Sequence, residues 1–245
     1  MSEPGSLIRA LSGRQAARNF HTFVINELGA GIVTGAFPVD VPLPNEAEIM
    51  ERYDVSRTVL REAMKTLEAK GLVEARAKVG TKVLPRNRWN LFDRQVLTWM
   101  FEAGPDAGFV RALLPVRQSL TLQAARAAAE LRTSDHMRML GYWLNQRQAC
   151  AGMPENCALA EFELQRILHE ASQNPMLRAA TALPEFAIAA AFQARMAAGV
   201  SDFASPAQSH FAELVGCMEK GDGLGLATPL AAIFQAEAEA CLPAP

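Results

Sequence analysis

Long apolar runs are missing from this 245-residue chain. None reaches the length that a bilayer span requires, which excludes a membrane helix. The opening MSEPGSLIRALSGRQAARNF has no apolar core of the kind a secretory signal needs, so a cytoplasmic protein is expected. Cysteine is scarce. Cys150, Cys157, Cys217 and Cys241 form no C-x-x-C pair. Four thiols in a chain of this length are no disulfide framework, and buried or idle thiols are expected. Catalytic signatures are absent as well: there is no G-x-S-x-G, no H-E-x-x-H and no P-loop. The four histidines are scattered, none with a Ser or Cys partner at motif spacing. An enzyme therefore finds no support.

What is present suffices for two folded domains. Half of the residues are hydrophobic and 20% are charged, a composition that does not suggest disorder. The net charge of −2 conceals an asymmetry. Residues 1–90 carry 13 Lys/Arg against 10 Asp/Glu, whereas residues 91–245 carry 11 against 16. Within 52–88 the count is 10 basic to 4 acidic. A small basic module joined to a larger acidic one points to a polyanion partner for the first module only.

The hydrophobic pattern gives the organisation. From Gln15 to about Val33, the residues Phe20, Phe23, Val24, Leu28 and Ile32 recur at helical spacing. TGAFPVDVPLP breaks the pattern, and NEAEIMERYD reads as a short second helix capped by Asn45. After a tight turn, Ser56 caps a third helix that ends at Gly71. LVEARAKVGTKVLP then changes period and reads as a β-hairpin, with strands at 72–76 and 81–84. Three helices and a hairpin predict a winged helix-turn-helix. The expected division is a DNA-binding domain over 1–84, a linker over 85–92 and an all-α effector-binding and dimerisation domain over 93–245. In that last domain the segments 93–103, 106–131, 134–150, 156–172, 175–198, 204–220 and 222–241 read as helices of a bundle.

The third helix has two faces. Val59, Leu60, Ala63, Met64 and Leu67 make an apolar stripe, and Arg57, Arg61 and Lys65 fall between them. Alone, such charges suit a solvated face. With Ser56 at the cap, a tight turn before and a basic hairpin after, they suit DNA. A recognition helix enters the major groove by its N-terminal end, where free N–H groups and the hydroxyls of Ser56 and Thr58 can hold phosphate. Arg57 and Arg61 project together, one turn apart, and each can chelate a guanine edge or clamp a phosphate.

These residues carry a family resemblance. LPNEAEIMERYDVSRTVLREAMKTLEAKGLVEARAKVGTKV, residues 43–83, resembles the DNA-binding domain of GntR-family bacterial transcription regulators. The family pattern LP-x-E, V-S-R-x-x-V-R-E-A, L-x-x-x-G-L and G-T-x-V is met at Leu43–Pro44 with Glu46, from Val55 to Ala63, at Leu67 with Gly71–Leu72, and at Gly80–Thr81 with Val83. The resemblance implies DNA contacts by Ser56, Arg57, Thr58 and Arg61, with Lys78, Gly80 and Lys82 in the wing. It departs at Ala47, where many members have an arginine that touches DNA, and at Val39–Asp40, where Pro-Gly is usual. Asp tolerates the left-handed backbone that such a turn requires.

The helical region resembles the FCD ligand-binding domain of the FadR-type subgroup, and the linker RNRWNLFDRQVLTWM resembles that of regulators of galactonate and related sugar-acid operons. AEFELQRILHEASQNPML, residues 160–177, follows the pattern D-x-x-x-H-x-x-x-x-x-A-S-x-N-P. The family's metal ligands fall here on Glu161, Gln165, Phe211 and the neighbourhood of Ile233–Phe234. Gln is a poor ligand and Phe none, so no tightly bound metal is expected. His169 and His210 are the histidines that could alter this. Arg117 stands where the family keeps a pocket arginine, suited to a carboxylate. Arg117, Glu161, Gln165 and Phe211 are thus the expected effector-binding residues, and a small carboxylate or sugar acid the expected ligand. The implied whole is a homodimeric repressor on an operator with two-fold symmetry. The alternative is a regulator or architectural DNA-binding protein whose helical domain has lost effector and metal binding and serves only in dimerisation.

Overall fold

The structure is a computed structural model that describes residues 5, 7–8, 20–77, 79–104, 106–150, 152–204 and 207–242. The described residues form two compact units, one from 20 to 104, the other residues 5 and 7–8 with those from 106 to 242.

The first unit holds α1 (Phe20–Val33), α2 (Glu46–Tyr53), α3 (Arg57–Ala69), β1 (Val73–Arg76), β2 (Gly80–Val83) and α4 (Arg94–Glu102). Residues 15–19 of the expected first helix lie outside the described residues. Val24, Leu28 and Ile32 of α1 are buried together with Ile49 of α2 and Leu60, Ala63 and Leu67 of α3. The winged helix-turn-helix expected from the pattern is therefore present. The hairpin is antiparallel, with Val73 opposite Val83 and Arg76 opposite Gly80. The chain before α2 lines the other edge of β2. Val83 N–H donates to Val41 O, while the amides of Asp40 and Leu43 donate to Val83 O and Thr81 O. Asp40 has φ +67°, so it takes the left-handed conformation that the usual glycine would supply.

The segment 85–92, expected as the linker, is packed into this unit. Trp89 Nε1 donates to Leu84 O and Asn90 N–H to Lys70 O, each at 2.9 Å. Gly71 has φ +75°, and a Cβ there would come 2.2 Å from Arg88 O, so only glycine ends α3 at this place. The unit then continues through α4. Asp93 caps this helix through one carboxylate oxygen and pairs with Lys70 through the other, at 2.7 Å. Gln95 and Trp99 both donate to Asn26 Oδ1 on α1, and the Trp99 ring lies where a Cβ on Gly29 would be. The division between units thus falls after Gly104, and the helix expected to open the second domain belongs to the first.

The second unit contains α5 (Ala107–Leu131), α6 (Ser134–Ala149), α7 (Pro154–Ala171), α8 (Pro175–Ala179), α9 (Ala182–Ala197), α10 (Gln208–Lys220) and α11 (Ala227–Cys241). It is all-α among the described residues, as expected. Helix α7 runs through the middle and packs on α5, α6 and α9. Small residues on α5 (Ala124, Ala125, Ala128 and Ala129) let it approach closely and are fully or almost fully buried. The one helix expected over 175–198 is two. Pro184 explains the break: its ring is compatible with the first turn of α9 but would clash inside a continuous helix. Leu7 and Ile8 are buried and belong to this unit, where the Leu7 amide donates to Glu185 Oε1 at 2.8 Å. The expected assignment of residues 1–84 to one domain is corrected at this point.

The thiol expectation is also corrected. Cys150 and Cys157 form a disulfide, with Cα atoms 5.3 Å apart. Cys150 ends α6 and Cys157 lies in the first turn of α7, so the tight connection brings together two residues that no C-x-x-C pattern marks. Cys217 and Cys241 are free.

Candidate functional site

Two places in the molecule concentrate charge. The first is the α2–turn–α3 element. Asn45 caps α2 by accepting from Glu48 N–H, and its own amide donates to the Glu48 carboxylate. Asp54 closes that helix in the left-handed conformation, and Ser56 caps α3 by accepting from Val59 N–H. The short turn sets the start of α3 at the surface. Leu60, Ala63 and Leu67 anchor one face in the core, which leaves Ser56, Arg57, Thr58, Arg61 and Lys65 exposed on the other. Arg57 has only a loose pair with Glu46, at 3.8 Å between exposed side chains. Such a contact contributes little and yields readily to a phosphate or a base edge. Arg61 makes no ion pair among the described residues.

The wing residues are placed differently from those of α3. Gly80 has φ +98° and is exposed, with open space around it. Lys82, though expected to face DNA, turns onto Asp40 at 2.8 Å with its side chain 21% exposed. Lys78 lies outside the described residues. Ala47 is exposed on α2, where the family's usual arginine would stand.

The second place is inside the helical unit. A cavity of about 340 Å³ is lined by Glu161 of α7, Phe192 and Arg195 of α9, Phe211 of α10 and Ile233 and Glu237 of α11, with alanines and Glu239 completing the wall. Two of its three carboxylates, Glu161 and Glu237, are held by arginines from behind, while the exposed Glu239 accepts from Gln235. Arg147 of α6, fully buried, donates from Nε and Nη2 to Glu161 Oε1 at 3.1 and 2.7 Å. Its Nη1 donates to Ala204 O and Gln208 Oε1, and its guanidinium lies over the Phe211 ring at 4.6 Å. Arg117 of α5, also fully buried, donates to Gln165 Oε1 at 2.7 Å and pairs with Glu237 at 2.6 Å. Burial pushes the Glu161 carboxyl up to about 7, against the opposing pull of Arg147, with Glu237 adding to the rise.

Of the expected effector residues, the structure brings Glu161 and Phe211 to the cavity wall. Arg117 and Gln165 stand behind it, both bonded to Glu237. Glu237, Arg147 and Arg195 escape sequence reasoning. Glu237 lies one turn beyond Ile233, and Arg147 sits on a helix that reads as amphipathic with no motif to single it out.

His169 is structural. Its Nδ1–H donates to Leu177 O at 2.7 Å, its Nε2 accepts from Thr121 Oγ1 at 3.1 Å, and burial lowers its pKa, so the ring is neutral. The Ser172–Asn174–Pro175 stretch forms the turn beside it, with Asn174 capping α8. His210 faces Glu213 on its own helix. The positions equivalent to the family's metal ligands do not fit a metal. Glu161 is engaged by Arg147, Gln165 by Arg117, and Phe211 and Ile233 offer no donor. Among the described residues no group of three His, Cys, Asp or Glu side chains is placed to hold one.

The geometry of both places can now be set beside known proteins. Residues 21–83, spanning the winged module, match the family described as bacterial regulatory proteins, gntR family. The chain is 34% identical over 155 residues to the galactonate operon transcriptional repressor of Escherichia coli, an alignment covering 63% of this chain and 68% of the repressor. It is 32% identical over 171 residues to the HTH-type transcriptional regulator YieP of Escherichia coli, covering 68% of this chain and 74% of that one. Among solved structures, Lar, which controls expression of the Listeria monocytogenes agr system, superposes with a TM-score of 0.64 at 16% identity, over 93% of this chain and 98% of its own. That likeness shows a shared fold across both units. The capped α3 with its outward arginines and the extent of these two sequence relatives lead to one conclusion: the chain belongs to the GntR family of bacterial transcriptional regulators.

Proposed function

We propose that the protein represses transcription as a homodimer, each α3 entering the major groove at one half-site of an operator with two-fold symmetry. The observation that carries this is the division of α3 itself. One face is locked into the core, and the other presents Ser56, Arg57, Thr58 and Arg61 beside the free N–H groups of a capped helix start. Gly80 and the Lys78 segment of the wing follow the backbone, and Lys82 contributes if it exchanges Asp40 for a phosphate.

The cavity of the helical unit takes the effector, a small carboxylate or sugar acid. Support comes from its buried polar wall and from the similarity to a galactonate operon repressor. It works without a metal, because buried arginines already hold the side chains at the ligand positions. Effector binding shifts the population between forms with matched and mismatched half-site spacing. A tenfold loss of operator affinity requires a coupling of only about 1.4 kcal/mol, the scale of one hydrogen bond to a charged group.

Footprinting on the DNA flanking the gene should reveal one short palindrome. Arg57→Ala should weaken binding to it by roughly 1–3 kcal/mol and relax its sequence preference. Unchanged binding and preference would remove α3 from the interface.

A further inference from the structure

One cation on the cavity wall, Arg195, is in no direct ion pair among the described residues, with Glu161 and Asp202 acting on it only from farther off. Arg117 and Arg147 are fully buried and paired with Glu237 and Glu161 respectively. Arg195 differs from both. It lines the cavity at partial exposure, and no carboxylate lies within ion-pair distance of it among the described residues. Its only hydrogen bond there is from Nη2 to the Asp202 carbonyl, at 2.9 Å. The guanidinium is nevertheless fixed in place. Phe192 and Phe203, both buried, stack on one another with centroids 5.5 Å apart, and Arg195 Cζ lies 5.1 and 4.9 Å from the two rings. Aromatic support of this kind holds the planar fork while leaving N–H groups for a planar anion.

We propose that Arg195 is the residue that receives the effector's carboxylate, and that the cavity selects a polyhydroxy monocarboxylate over the corresponding dicarboxylate or neutral polyol. The proposal rests on the effector reading given above and specifies its chemistry. The charge count around the cavity sets the selectivity. Glu161 and Glu237 are paired with the arginines behind them and Glu239 is a further carboxylate on the wall, so Arg195 is the one cation there outside an ion pair and can answer one carboxylate. The wall glutamates are hydrogen-bond acceptors, suited to the donor hydroxyls of a polyol chain. A second carboxylate would meet them as a like charge. A polyol without a carboxylate would leave Arg195 unanswered. The apolar remainder of the wall, Ala191, Phe211, Ile233 and Ala236, suits the carbon backbone, and about 340 Å³ lies at the small end of small-molecule sites.

The test uses three six-carbon probes with the same hydroxyl stereochemistry: D-galactonate, galactarate and galactitol, bearing one, two and no carboxylates. Thermal shift and isothermal titration of the full-length wild-type protein should rank galactonate first. Arg195→Gln should weaken galactonate binding by at least about tenfold, the worth of a charge-assisted hydrogen bond. Arg195→Lys, which keeps the charge but loses the fork, should retain part of it. Melting of the unliganded variants by circular dichroism separates lost binding from lost folding, and Arg195→Lys carries the comparison if Arg195→Gln is unstable. Full galactonate binding by Arg195→Gln would overturn the anchor and leave the effector reading intact. Stronger binding of galactarate than galactonate would overturn the charge count. No response of wild type to any of the three would overturn both the anchor and the sugar-acid reading.

Discussion

Arginine is used in opposite ways in the two units. On α3, Arg57 is 65% exposed and its nearest carboxylate is 3.8 Å away. In the helical unit, Arg147 is 0% exposed and 2.7 Å from Glu161. An exposed pair gains at most about 1 kcal/mol, so giving it up to an incoming phosphate costs the protein almost nothing. A buried pair is committed: removing either side chain leaves the other buried without its partner, at a large penalty. The surface guanidiniums are thus available to an external anion. The buried ones fix two carboxylates of the cavity wall, Glu161 and Glu237.

The contrast is broken most directly by truncation. Arg147→Ala should destabilise the helical unit by roughly 3–5 kcal/mol, because Glu161 is left buried and unpaired. Arg61→Ala should change stability by less than about 0.5 kcal/mol, the usual effect at an exposed position. Urea unfolding of the two variants measures both. Similar small losses would mean that Arg147 is not committed to Glu161.

The same contrast explains what can be read from the sequence. The α3 row proposed to face DNA is local. Its caps, turn, apolar stripe and arginines all lie within Leu43–Val83, so periodicity and capping rules alone suffice to place them on one helix. The buried cluster is not local. Arg117 meets Gln165 across 48 residues and Glu237 across 120. No periodicity announces such a meeting. Arg147 is illegible because its helix is mostly polar and exposed, with only Leu140 and Arg147 buried along it. The linker misleads for a different reason. Pro85 and the change of period look like a boundary, but Trp89, Asp93 and Trp99 find their partners just past β2, at the end of α3 and on α1, and extend the first unit to Gly104. The disulfide has no motif spacing. It depends on how tightly α6 turns into α7.

That disulfide sharpens the comparison, since it closes the loop between Arg147 and Glu161. Joining residues seven apart should stabilise the unit by about 2.5 kcal/mol in the chain-entropy account. Cys150→Ser should lose that amount under oxidising conditions and nothing once wild type is reduced. Thiol titration of the denatured protein should find two reactive groups, Cys217 and Cys241, before reduction and four after it. Four before reduction would show that the pair is open.

The last effect concerns Glu161 and should appear only in the helical unit. Three charged groups act on it: Arg147 from α6, Arg195 from α9 and Glu237 from α11. Burial outweighs the two arginines and raises its carboxyl from the ordinary 4.5 to about 7. Between those values the folded protein keeps a proton that the unfolded chain has released. Stability should therefore fall as pH rises through that window, by at most about 1.4 kcal/mol per pH unit, and this contribution should level off above about 7. Glu161→Gln should flatten the slope in urea melts taken across the range. The same protonation removes a negative charge from the cavity wall, so galactonate binding should strengthen as pH falls through about 7. An affinity that stayed level there would mean that Glu161 remains ionised beside Arg147, and that the cavity's charge balance is set by the arginines alone.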